Sequence, residues 1–263
     1  MSLKSNIFAT AREIMIQVWI SAAGLCGATL IGSALGFFFK NLPHKLNDTI
    51  LGLCAGIMLA SSTIGLILPA FEGTSQWWWV AAGVMGGAFF LNLLDLLTPH
   101  LHTISGLDPE LHHNGSHLNK VLLFVIAIAL HKLPEGMAAG VSMSAATGVS
   151  TDWTVSLGIA IQNIPEGVVI IAPLLLAGVS RLRTFAIALF IGMLEVIGVW
   201  AGFALGSISE LLLPIMLGFA GGAMLYVTSD EMIPETHAHG YQKQATYALL
   251  FGFIFMIIVE KLF

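Results

Sequence analysis

Apolar residues run in long blocks along this chain, and most charged residues fall in the gaps between them. A helix that crosses a bilayer needs about 20 mainly apolar residues. Blocks of this kind stand at about 14–39, 49–70, 77–98, 121–146, 154–179, 184–205, 211–233 and 245–260. Backbone in lipid must satisfy its own hydrogen bonds, so each block predicts a helix, and interior Gly and Pro do not forbid it. The gaps are short except the one at about 99–120, and no soluble domain is evident. The expected fold is an all-α integral membrane protein of eight transmembrane helices, with residues 1–263 forming a single polytopic domain.

Composition sharpens this expectation. Of 263 residues, 57% are hydrophobic and 10% charged, with a mean hydropathy of +0.89. A soluble protein carries about 25% charged residues, so lipid must cover much of this chain. The net charge is −5, and the absence of a basic patch argues against a nucleic-acid partner. Cys26 and Cys54 lie in apolar segments and read as buried thiols, not as a disulfide or metal framework. Lys4 and Arg12 precede the first block, which is nevertheless long enough to span. Leu25 just before Cys26 does not suit a lipoprotein cleavage site, so the block is expected to be the first membrane helix.

The basic residues predict an orientation. Lys40, Lys45, Lys120, Arg181, Arg183 and Lys243 fall in loops 1–2, 3–4, 5–6 and 7–8, and loops 2–3, 4–5 and 6–7 hold no Lys or Arg. The positive-inside rule then places the basic loops in the cytoplasm and both termini outside. His44, His237 and His239 fall on that cytoplasmic side, as do His100, His102, His112, His113 and His117 in a His-rich loop at about 99–120. Clustered imidazoles can hold soft or borderline metals weakly.

His131 stands apart, inside the fourth block. Ionisable groups deep in a span are costly and mark candidate functional sites. Helix 4 reads His131-Lys132-Leu133-Pro134-Glu135-Gly136, and helix 5 reads Gln162-Asn163-Ile164-Pro165-Glu166-Gly167. Helix 6 adds Glu195. His131 follows Lys120 by eleven residues. That is roughly 16 Å of helix, about half of the hydrocarbon core. His131 and Glu135 are four apart, as are Gln162 and Glu166, so each pair projects from one helix face. Together they offer an imidazole, two carboxylates and an amide oxygen to a shared cavity. That mixed set suits zinc, and also iron, cobalt, manganese or cadmium. Pro134 and Pro165 release the carbonyls of Leu130 and Ile161. Paired spans interrupted by Pro and Gly point to a transport site.

Other polar residues flank this centre. Asp95, Asp230 and Glu231 lie near the expected cytoplasmic ends, and Glu235 lies just beyond helix 7. They are candidates, with the loop histidines, for an exit relay. Glu72 marks the outer end of helix 2. Gly83, Gly86 and Gly87 in helix 3, and Gly218, Gly221 and Gly222 in helix 7, are expected to allow close packing. Trp77–Trp79 read as an interfacial belt.

The two Pro-Glu-Gly motifs in adjacent spans resemble those of the ZIP (Zrt/Irt-like) metal transporters. The likeness extends to Gly56-Ile57-Met58-Leu59-Ala60-Ser61 in helix 2, Met224-Leu225-Tyr226 in helix 7, and Glu231-Met232-Ile233-Pro234-Glu235 after it. It leans toward the GufA-like bacterial branch. The resemblance implies a ZIP-type bundle that takes zinc and similar ions into the cytoplasm by rocking or elevator-like movement, from a bacterial inner membrane. It matches His131, Glu135, Gln162 and Glu166 to the family's primary metal ligands, with Met58 close by. Second-metal positions fall on Lys132, Asn163 and Glu195. Lys132 departs from the usual Asn; an ammonium cannot ligate a metal, so it is expected to replace the second ion and to pair with Glu195 and one Pro-Glu-Gly carboxylate.

The expected function is therefore transport, with the metal as substrate and no cofactor. Metal ions and the lipid bilayer are the expected partners, and a homodimer is left open. The rival class is an intramembrane metalloenzyme, which needs a metal-activated water and a general base. The chain lacks His-Glu-x-x-His and a convincing Ser–His pair at midplane depth. A metal sensor would require an output domain that is not evident, and no nucleotide-binding motif is present.

Overall fold

The computed structural model describes residues 2–38, 43–97, 131–144, 153–176, 178–209 and 212–262. Eight helical stretches are found among them: α1 (Ser2–Gly36), α2 (His44–Glu72), α3 (Trp77–Leu97), α4 (131–142), α5 (Thr154–Leu176), α6 (Arg181–Gly206), α7 (Leu212–Thr236) and α8 (Gln242–Leu262). The described residues contain no strand. Seven of the helices, all except α4, contain segments long and apolar enough to cross a membrane. The first part of the expected fourth span, residues 121–130, lies outside the described residues, as does the His-rich loop.

Several helix boundaries differ from the sequence pattern, and at the start of α2 the reason is local. His44, expected in a loop, opens α2 because Pro43 caps it with extended geometry, φ −59° and ψ 140°. Proline is suited to a helix start, where its missing N–H is not needed. At the other end of the chain, α7 continues past 233 to Thr236.

Both α2 and α7 contain a π-helical stretch, at Ser61–Ile67 and Thr228–Met232. Each is followed by a short α-helical segment with proline in its first turn, Pro69 and Pro234. An interior proline lacks a donor and its ring crowds the preceding turn. A wider π turn accommodates both problems, and such turns recur at functional sites.

The helices associate in two main groups. α2 packs on α8, α3 packs on α7, and the π-helical stretch of α2 also meets α7. α1 packs along α5 and α6. Helices in lipid gain no hydrophobic drive from one another, so close backbone approach is the main source of adhesion. A Cβ added at Gly87 would strike the Phe219 carbonyl, and one at Gly222 would strike that of Val84. Gly86 differs, since its nearest neighbour is the Phe219 ring at 3.9 Å. Trp77, Trp78 and Trp79 are exposed at the start of α3.

Candidate functional site

The polar motifs of α4 and α5 meet around one ammonium group. Lys132 is 1% exposed, and its Nζ lies 2.7 Å from Glu135 Oε2, 2.6 Å from Glu166 Oε2 and 3.3 Å from Glu195 Oε1. It also donates to Asn163 Oδ1 at 2.6 Å. The lysine thus reaches both Pro-Glu-Gly carboxylates and the α6 glutamate. A buried ion pair tolerates desolvation when its geometry is good and its remaining polar atoms find partners. Here the partners come from three further side chains. Asn163 Nδ2 donates to Glu195 Oε1 at 2.7 Å, Thr29 donates to Glu195 Oε2 at 2.9 Å, and Gln162 Nε2 donates to Glu135 Oε1 at 3.1 Å.

One oxygen is left over. Gln162 is fully buried, and among the described residues its Oε1 has no hydrogen-bond partner. An orphaned buried acceptor costs about 1–3 kcal/mol. This one belongs to a side chain already tied to a carboxylate, so a cation at this point would satisfy both.

The sequence explains how three helices come so close. Glu135 lies one turn after Lys132 on α4, which brings the two side chains to one face. The glycine of each Pro-Glu-Gly motif then admits a neighbour. A Cβ at Gly136 would strike the Glu195 carbonyl of α6, and a Cβ at Gly167 would sit 2.7 Å from the Thr29 carbonyl of α1. The motif glycines therefore admit the helices that bear Glu195 and Thr29.

His131 reaches a different partner. Its Nε2 lies 2.8 Å from Glu231 Oε1, in the π-helical turn of α7. Of the expected ligands, Glu135, Gln162 and Glu166 are brought together, and His131 is held at their edge by Glu231. Met58 is 1% exposed on α2, one turn after the fully buried Cys54. Cys54 Sγ points to the Gln162 carbonyl at 3.7 Å. Among the described residues, no three His, Cys, Asp or Glu side chains form a ready metal cluster. The three glutamates converge on Lys132 instead.

The remaining candidates lie outside this centre. Asp230 is exposed, and Glu72 is exposed at the end of α2. Glu235 lies within electrostatic reach of His239, Asp48 and His44. His237 Nδ1 is 2.8 Å from the Ile233 carbonyl. The side chain of Asp95 lies outside the described residues, and so do His100, His102, His112, His113 and His117. The sequence pattern did not single out Thr29 or Asp48. Thr29 carries no signal in an apolar run, whereas Asp48 follows His44 by four residues, a spacing that could have drawn notice.

Comparison with known proteins bears on this geometry. The family described as "ZIP Zinc transporter" matches residues 108–260. The chain is 40% identical over 252 residues to Zinc transporter GufA of Myxococcus xanthus, covering 90% of this chain and 98% of that protein. It is 37% identical to Zinc transporter ZIPB of Bordetella bronchiseptica, covering 91% of this chain and 78% of that one. Human Zinc transporter ZIP11 is 30% identical, over 89% of this chain and 93% of its own.

Proposed function

Since this chain belongs to the ZIP zinc-transporter family, we propose that it carries divalent transition-metal ions, zinc foremost, into the cytoplasm through the polar centre of α4, α5 and α6. The family is one of multi-pass membrane transporters and not of enzymes, which sets the metalloenzyme alternative aside. Iron, manganese, cobalt and cadmium are further candidate substrates, because the donor set is mixed nitrogen and oxygen.

The observation that carries this proposal is the orphaned Gln162 Oε1 beside the carboxylates gathered by Lys132. Glu135, Glu166 and Gln162 supply oxygens to the ion, His131 supplies a nitrogen once it leaves Glu231, and Met58 lines the approach. Lys132 keeps its place between Glu195 and Asn163, where a second metal would otherwise sit. With all three glutamates ionised, three carboxylates and one ammonium leave two negative charges, which one divalent cation neutralises. A second divalent ion would face both the first ion and the ammonium in a low-dielectric interior, where repulsion is strong.

Entry and release follow from the grouping of helices. Glu231 sits on α7, whereas the ligands sit on α4 and α5, so a shift of the α2–α3–α7–α8 group against the rest would exchange His131 between Glu231 and the ion. Glu72 marks the outer side, and Asp95, Asp230, Glu231, Glu235 and the loop histidines mark the cytoplasmic side. Eight spans, both termini outside, one domain over 1–263 and a bacterial inner membrane complete the proposal. The test is zinc flux into sealed proteoliposomes that contain this chain and no other protein, with competing metals added. Saturable flux supports the proposal, and vesicles no leakier to zinc than protein-free ones would end it.

A further inference from the structure

A second set of metal-ligand side chains lies where the start of α2 meets the end of α7. His44 and Asp48 are four residues apart on α2. Glu235 and His239 are four apart at the end of α7 and in the turn after it. His44 and Asp48 therefore share a helix face, and the turn after α7 brings His239 against them across this junction. His239 Nδ1 lies 3.0 Å from Asp48 Oδ1. The His44 and His239 rings stack with centroids 4.4 Å apart and planes 22° from parallel. Glu235 is close enough to interact electrostatically with His239, Asp48 and His44. Neither pair belongs to the α4–α5–α6 centre.

A second observation points to a missing cation. Asp48 is fully buried, and among the described residues its Oδ2 has no hydrogen-bond partner. Leaving half of a buried carboxylate unsatisfied is costly, and buried charges are ordinarily paired or coordinate a metal. The one hydrogen-bond partner of Asp48 among the described residues, His239, is itself a metal-ligand residue type.

We infer that His44, Asp48, Glu235 and His239 form a second divalent transition-metal site of the zinc class, separate from the transport centre. Two imidazoles and two carboxylates match the tetrahedral nitrogen–oxygen sets that zinc accepts, and two carboxylates balance its charge. The donors do not yet surround a common point. Face-to-face rings at 4.4 Å cannot both place a nitrogen about 2.0–2.1 Å from one ion. His44 is exposed, so it can turn off the face of His239 and close the site at little cost. Glu235 follows Glu231 by one helical turn, about 6 Å. On the transport proposal above, an ion released at His131 and Glu231 would meet this site next. The existence of the site rests on its own donors.

The experiment uses full-length protein with the five loop histidines changed to Ser and with Glu135→Gln and Glu166→Gln, so that neither the loop nor the transport centre binds strongly. Zinc binding is measured by equilibrium dialysis, and cobalt(II) is added as a spectroscopic probe of tetrahedral coordination. One bound equivalent is expected. His44→Ala, at an exposed position that leaves the fold intact, should weaken binding at least about tenfold. His44→Cys should restore it and add a thiolate-to-cobalt absorption band. No bound metal in this background, or affinity indifferent to His44→Ala, would overturn the inference. Failure of the transport centre reads out differently, as unchanged stoichiometry between protein with and without the two glutamate substitutions.

Discussion

Nε2 of His131 lies 2.8 Å from Oε1 of Glu231, so a proposed metal ligand on α4 is held by a carboxylate on α7. The imidazole cannot serve both the glutamate and an ion with the same nitrogen. On the proposed mechanism Glu231 competes with bound metal for His131 and lowers the barrier to release.

Glu231→Ala should free the imidazole for the metal. A hydrogen bond to a charged group contributes about 1.5–3 kcal/mol, so zinc affinity should rise about tenfold or more. Initial flux should fall, because release loses its competitor. Binding isotherms and vesicle flux on the same preparation check both signs, and a variant unchanged in both would leave the pair without a role in transport.

Glu135→Ala removes an oxygen donor and also one partner of Lys132. The ion is left under-coordinated, and zinc flux in vesicles should fall at least about tenfold. Near-normal flux would displace the site from these helices.

Much of this arrangement was legible in the sequence, because lipid forces every span to declare itself as an apolar block and makes each buried charge conspicuous. Lys132, Glu135, Asn163, Glu166 and Glu195 stand out as polar residues inside apolar blocks, and they do meet. Other features depend on how helices rotate and approach, which one-dimensional spacing does not encode. Thr29 binds Glu195 because Gly167 lets α1 in, and a threonine in an apolar run gives no hint of it. His131 shares a face with Glu135 yet turns to Glu231, since a π turn re-aims that part of α7. The prolines after each π turn were visible, but proline also kinks or ends helices, so its presence alone did not specify a π turn.

Gly86 and Gly87 separate packing from composition. A methyl group at Gly87 meets the Phe219 backbone, which cannot yield, whereas at Gly86 it meets ordinary van der Waals space. Gly87→Ala should destabilise the protein by about 1–3 kcal/mol. Gly86→Ala should leave the thermal midpoint in detergent nearly unchanged. Equal shifts for both would refute the close α3–α7 contact.

Replacing His100, His102, His112, His113 and His117 with Ser should spare basic permeation, because these residues fall in a loop between the proposed spans. Initial zinc uptake at saturating metal is expected to stay within about twofold of the native value, a change of well under 1 kcal/mol. Delivery at low zinc should suffer more. Complete loss of uptake with normal expression would move the loop into the transport path.

Lys132 gives the sharpest expectation. Its ammonium touches Glu135, Glu166, Glu195 and Asn163, the side chains that would border a second ion on the proposed reading. The charge is fixed in place by three carboxylates and is monovalent, so it lowers the repulsion that a second divalent ion would bring to the first. Anomalous scattering or elemental analysis of the native protein should find one ion at this centre. Lys132→Asn removes the ammonium and supplies an amide oxygen in its place, so a second ion should bind. Lys132→Met supplies neither, and breaking a buried pair in this way costs about 3–5 kcal/mol. That variant should therefore melt well below the native protein when metal is withheld and recover when zinc is added, since the metal then neutralises the stranded carboxylates. Two central ions in the native protein, or a Lys132→Met variant as stable as the native one without metal, would show that the lysine does not stand in for an ion.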